Sequence, residues 1–151
     1  MNLYFYALED FTIIDGDTLD ATIDLGFGVY IKHRVRLMGI NTPESHTRTP
    51  EPERALGLAA KDWLVSKLHN ALNGHGEETA MIQTHKIRRR TGEIDERTGK
   101  YGRYMVTLWL RQDGAMTDIN RSLVENGHAN LYTGGKRPAL GTWEWAGEDQ
   151  L

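Results

Sequence analysis

The chain of 151 residues contains no cysteine. Disulfide stapling, thiolate metal sites and a cysteine nucleophile are excluded together, so the fold must be held by burial and hydrogen bonding. Long apolar runs are also missing. No stretch approaches the ~20 residues of a membrane-spanning helix, and Met1-Asn2-Leu3-Tyr4-Phe5-Tyr6 has no basic segment ahead of a long apolar core. The expectation is a soluble protein with no export signal and no membrane partner, cytoplasmic by default, with secretion of a processed form left open. Nor is there a strong excess of one charge. The formal net charge of −3 argues against a polyanionic partner only if it is evenly spread, but residues 86–103 carry +4 and the remainder −7. One face can therefore attract phosphates while the bulk stays acidic. A solvated loop accounts equally well for Arg88-Arg89-Arg90.

What is present fits one domain over residues 1–151, with 39% hydrophobic residues to build its core. Residues 3–8 and 11–14 are rich in aromatic and β-branched side chains and read as two strands or one bent strand. Leu19, Ala21, Ile23 and Leu25 then alternate with polar residues, as do Ile31, His33, Val35 and Leu37, which is the period of strands with one buried face. Between them Gly26-Phe27-Gly28 offers a turn. If these runs pair as an antiparallel hairpin, the start of the first lies beside the end of the second. Asp15 and Asp17 would then face Asn41, Thr42 and Glu44, with Arg36 at the edge. Such a cluster of carboxylate, amide and carbonyl oxygens suits a hard divalent cation.

Pro43 ends the third strand, because it lacks a donor and holds Thr42 extended. A helix is predicted from Thr49-Pro50 to Asn73-Gly74, with Leu56, Ala59, Ala60, Trp63, Leu64, Leu68, Ala71 and Leu72 on its apolar stripe. Residues 79–87 read as a strand, 88–100 as a long charged loop, and 101–110 as a strand that Gln112-Asp113-Gly114 breaks. Thr117 can cap a short helix reaching Asn126, with Gly127 as its stop. From about residue 133 the tail, with Gly134, Gly135, Pro138 and Gly141, reads as irregular. Trp143 and Trp145 there read as an apolar flap over the barrel.

Asp15-Gly16-Asp17-Thr18, the run Arg36 to Glu44, and Lys100-Tyr101-Gly102-Arg103 stand in an order and spacing that resembles the thermonuclease, or staphylococcal nuclease-like, family. A fourth piece, residues 106–110 with 119–127, is similar to that family's last barrel strand and second helix. The resemblance covers roughly residues 10 to 132. It implies an α+β protein, mainly β: a five-stranded OB-fold barrel with two or three flanking helices, a scaffold often used to bind oligonucleotides. It also implies a calcium-dependent endonuclease of DNA, with RNA as a further candidate substrate and no obligate protein partner. Asp17, Asn41 and the Thr42 carbonyl would hold Ca2+, with Asp15 behind them or bound through water. Glu44 would take the proton of the attacking water, while Arg36 and Arg103 clamp the phosphate. Lys100 and Tyr101 would contact a neighbouring phosphate, and Tyr132, one place off the family position, would stack a base.

Asn41 departs from the aspartate of many relatives and removes one negative charge from the cation site. It keeps a second expectation open, an OB-fold nucleic-acid-binding module with weak or no turnover. The six histidines form no His-Glu-x-x-His pair. His69-Asn70 with His75 would resemble a His-Asn-His nuclease only in a strand-turn-strand setting, whereas the first two fall on the predicted helix. His33 alternates with Ile31 and Val35 and is expected to be a partly buried structural residue.

Overall fold

A computed structural model describes residues 3–72, 78–88, 91–92, 94–96 and 103–132. The strands are β1 (Phe5–Asp15), β2 (Thr18–Asp24), β3 (Tyr30–Leu37), β4 (Ile40–Asn41), β5 (Thr79–Thr84), β6 (Lys86–Arg88), β7 (Ile94–Glu96), β8 (Tyr104–Gln112), β9 (Ala115–Asp118) and β10 (Asn130–Leu131); the helices are α1 (Glu53–Leu72) and α2 (Ile119–Glu125). The main sheet runs β3-β2-β1-β5-β8-β9 and closes through a pairing of β3 with β8. The result is a five-stranded mixed barrel of OB-fold type, α+β in class, with one helix between β4 and β5 and another after β9. The closing contact is parallel, Val35 to Tyr104 through Leu37 to Val106, while the other barrel pairings are antiparallel.

The alternation that predicts the hairpin also explains its core. Leu19, Ala21 and Ile23 of β2 and Val35 and Leu37 of β3 point inward and are buried, beside Ile82, Val106, Leu108 and Leu110. Toward the hairpin tip the inward pattern fails, since Leu25 and Ile31 are exposed. His33 is half-buried with its ring edge on Tyr104. The run from residue 3 to 14 is a single strand whose register shifts between Leu8 and Asp10 and again between Ile13 and Asp15.

Helix α1 starts at Glu53, four residues later than Thr49, because Pro50 and Pro52 supply carbonyls to its first turn while Glu51 Oε2 accepts from Ala55 N–H. Its buried stripe is Gly57, Ala60, Leu64 and Leu68, whereas Leu56 and Ala59 face outward. The strand expected at 79–87 divides at His85 into β5 and β6, and β6 forms a short hairpin with β7, which lies in the loop expected at 88–100. Asp113 and Gly114 do not end the chain's β structure. Both have positive φ, the geometry of a tight two-residue hairpin, and return the chain as β9. Thr117 therefore lies in β9, and α2 is capped by Asp118, whose carboxylate accepts from Arg121 N–H. Burial raises the Asp118 pKa against that capping bond. The segment from 133 onward, with Trp143 and Trp145, lies outside the described residues.

Two glycines let α1 press on the turns at the open end of the hairpin. A Cβ on Gly16 would stand 2.9 Å from Ala60 Cβ and 3.0 Å from Thr42 Cγ2. A Cβ on Gly57 would collide with the Glu44 carbonyl and come within 2.7 Å of that of Pro43. Alanine normally improves an exposed helix interior over glycine by about 0.5–1 kcal/mol. Here the sign reverses. Gly57→Ala is expected to destabilise by about 1–3 kcal/mol, the cost of overpacking, and denaturant unfolding reads that loss directly.

Candidate active site

The tight turn Gly16-Asp17 between β1 and β2 brings Asp17 against the end of β3, where Leu37 N–H donates to the Asp17 carbonyl at 2.8 Å. Asp17 is buried, and each of its carboxylate oxygens accepts a hydrogen bond. Its Oδ1 accepts from the Thr18 hydroxyl at 2.9 Å, and its Oδ2 accepts from the Thr42 backbone N–H at 2.9 Å. That last bond ties together two turns 25 residues apart. A buried carboxylate needs such donors and a counter-charge. Arg36 provides the charge.

Arg36 leaves β3 one residue before its end and turns its guanidinium into the following loop. Nη1 donates to the carbonyls of Leu37 and Ile40, each at 3.0 Å, and Nη2 donates to Asn41 Oδ1 at 2.8 Å and lies 3.4 Å from Asp17 Oδ2. The plane of donors thus fixes the Leu37–Asn41 loop and neutralises Asp17 at once. The Tyr132 ring lies against the same guanidinium at 5.9 Å, and Tyr132 N–H donates to the Gly39 carbonyl. β10 supports this edge by pairing Asn130 with Asn41 and Leu131 with Ile40.

Asp15 lies on the other flank. Its Oδ1 accepts from the backbone N–H of Ser45 at 3.0 Å and from the Ser45 hydroxyl, which also contacts the Ile14 carbonyl. Ser45 was not singled out in the sequence. The only local signal was a hydroxyl directly after Thr-Pro-Glu, which many loops would share. Glu44, between Thr42 and Ser45, has an exposed side chain while its backbone is held under Gly57. Arg103 directly precedes β8, in which Met105 is the register partner of Arg36, so the two arginines enter from adjacent strands. Lys100, Tyr101 and Gly102 lie outside the described residues.

Asn120 is a second residue that periodicity could not expose. It is buried in α2, where its Nδ2 donates to the carbonyls of Met38 and Val106 and its Oδ1 accepts from Leu108 N–H, all at 3.0 Å. It therefore fastens the turn after β3 to the wall of the barrel. His69 and Asn70 are exposed on α1, away from any strand-turn-strand unit.

Among the described residues no group of three His, Cys, Asp or Glu side chains could hold a metal. Two oxygens of hard type, Asp17 Oδ2 and Asn41 Oδ1, come together at Arg36 Nη2, and the Thr42 N–H holds the first of them. They fit Ca2+ in kind, with less charge than a site of several carboxylates. No helix among the described residues is long and apolar enough to cross a membrane.

An uncharacterized protein of Methanocaldococcus jannaschii, MJ1439, is 25% identical over 156 residues, covering 89% of this chain and 70% of the relative. The family model of staphylococcal nuclease homologues matches residues 34–144, a span that takes in Arg36, Asn41, Thr42, Glu44, Arg103 and Tyr132 and begins after Asp15 and Asp17. With the barrel closed around these residues and most of the chain matched, the protein belongs to the staphylococcal nuclease homologue family.

Proposed function

We propose that this protein is a calcium-dependent endonuclease that hydrolyses phosphodiester bonds of DNA, and of RNA as a second substrate. The observation that carries the reading is the bond from Thr42 N–H to Asp17 Oδ2, which draws the β1–β2 turn and the loop after β3 around a shared guanidinium. Phosphodiester hydrolysis needs an activated water in line with the leaving oxygen and positive charge on the oxygens that gain negative charge. Asp17, the Asn41 amide and the Thr42 carbonyl would hold the cation, with Asp15 reaching it through water. The bound cation would supply Lewis-acid polarisation of a phosphate oxygen.

The remaining work falls to the chain's own side chains. Glu44, exposed on a loop whose backbone is fixed, accepts the proton of the attacking water. Arg103 grips the phosphate with its planar fork. Arg36 already donates to two carbonyls and one amide. It acts on the phosphate through charge, and by direct contact only when the Asn41 or Asp17 bond is exchanged. Lys100 and Tyr101 contact the next phosphate. Tyr132, lying on Arg36, stacks against a base only on the ring face that the guanidinium leaves open.

A second reading has one observation in its favour. Asn41 Oδ1 is taken up by Arg36, and the site has one carboxylate where aspartate at 41 would give two. On that basis the barrel would bind nucleic acid without turning it over. Supercoiled plasmid distinguishes the two. Calcium should produce nicked and linear forms, chelator should stop this, and Glu44→Gln should slow it by about two orders of magnitude or more, the usual worth of a positioned general base. Retention of plasmid without calcium-dependent cutting would support the binding module instead.

The Asn41 amide makes a further prediction. Asn41→Asp adds a carboxylate beside both Arg36 and the cation site, so the calcium concentration for half-maximal cleavage should fall several-fold. An unchanged calcium titration would remove Asn41 from the cation's ligands.

A further inference from the structure

Among the described residues, half of the exposed large hydrophobic side chains cluster at the β2–β3 tip: Leu25, Phe27, Val29, Tyr30 and Ile31. Phe27 is wholly exposed and sits at φ 55, between Gly26 at φ 82 and Gly28 at φ 74. A bulky residue in the left-handed region is strained, and an exposed phenyl ring contributes no burial. The tip is nonetheless sharply defined. Leu25 N–H donates to the Val29 carbonyl and Val29 N–H to the Gly26 carbonyl, both at 2.9 Å, while Asp24 Oδ1 accepts from Gly26 N–H at 2.8 Å. Glycine would satisfy this turn better than phenylalanine, so the ring is there for something other than the fold.

The hairpin connects that ring to the candidate active site. Its pairing runs from Thr18 with Arg36 at one end to Asp24 with Tyr30 at the other, six residue steps or about 20 Å. Along this length β3 carries Lys32, His33, Arg34 and Arg36 and no acidic residue. Arg34 is paired with Asp20, but Lys32 is exposed opposite Thr22 and has no ion-pair partner among the described residues. A basic strand leading from the site to an exposed aromatic tip matches a polyanion that carries stackable bases. It does not match a lipid surface as well, because the basic residues lie along the strand and not around the tip.

We infer that Phe27 is a base-stacking contact of the nucleic-acid substrate, held at the end of the β2–β3 hairpin that lies farthest from Arg36. The inference rests on the reading of this chain as a protein that acts on nucleic acid. It extends the substrate interface beyond the residues around Arg36 and makes the hairpin tip a determinant of affinity.

The test measures binding with calcium chelated, so that it does not depend on cleavage. Fluorescence anisotropy of a labelled 30-nucleotide single strand is compared for the wild type and Phe27→Gly, alongside sedimentation with phosphatidylcholine/phosphatidylserine vesicles. Phe27→Gly should melt no lower than the wild type, since glycine relieves the strain. It should bind the oligonucleotide at least five-fold more weakly, the lower end of the measured worth of one stacked base, roughly 1–3 kcal/mol. Phe27→Trp should restore the affinity. Equal dissociation constants for the wild type and Phe27→Gly, no oligonucleotide binding by either, or a Phe27-dependent loss confined to vesicles would each overturn the inference. Phe27-dependent binding by a protein that cuts nothing when calcium is restored would uphold it and refute the nuclease reading alone.

Discussion

A single guanidinium carries more of this structure than any other group. Arg36 emerges where β3 ends, and its donors reach two carbonyls and an amide of the loop that follows while its charge lies beside the buried Asp17. A carboxylate with so little exposure would be costly without that neighbour. A loop with free carbonyls at Leu37 and Ile40 would have no reason to hold one shape. The same contact satisfies both, and it does so at the point where the β1–β2 turn and the loop after β3 come together. The local order of the candidate active site is therefore a consequence of charge neutralisation more than of apolar packing.

The rest of the fold braces that point. From one side α1 lies on Gly16, Thr42 and the Pro43-Glu44 backbone, with glycine at 57 because no side chain fits beneath it. From the other, Asn120 reaches from α2 to the carbonyls of Met38 and Val106, while β10 pairs with β4. The parallel contact of β3 with β8 closes the barrel and places Arg103, the residue just before β8, beside the strand that carries Arg36. The flexible part of the arrangement is chemical. Asn41 in place of a carboxylate gives Arg36 one neutral acceptor beside the charged Asp17, so the guanidinium faces a single carboxylate at this point.

Much of this was legible before any coordinates. Strict alternation over seven or eight residues identified β2 and β3, and with them the prediction that Asp17 would approach residues 41–44. Gly127 marks the end of α2, whereas Pro43 does not end the third strand: β3 stops at Leu37 and the two-residue β4 lies between it and the proline. Segments of two to four residues are not legible, because β4, β6, β7, β9 and β10 are too short to show a period, and β4 and β10 also form through a partner far along the chain. Asp113-Gly114 has the signature of a strand stop and equally of a hairpin turn, and only the pairing of the following strand decides for the turn. The α1 start was placed too early, as Thr49-Pro50 and Pro52 offer competing beginnings. Contacts between side chains were least visible. The hold of Arg36 on Asn41, the grip of Ser45 on Asp15 and the placement of Tyr132 on Arg36 depend on tertiary distances that motif spacing does not encode.

The central claim is that Asp15–Thr18 and Ile40–Ser45 together form one cation site ordered by Arg36. Backbone amide NMR during a calcium titration tests it most directly. Saturable shifts concentrated at residues 15–18 and 40–45, with a one-site binding curve, are the predicted result. Shifts that begin elsewhere on the barrel, or none at calcium concentrations that support cleavage, would contradict it.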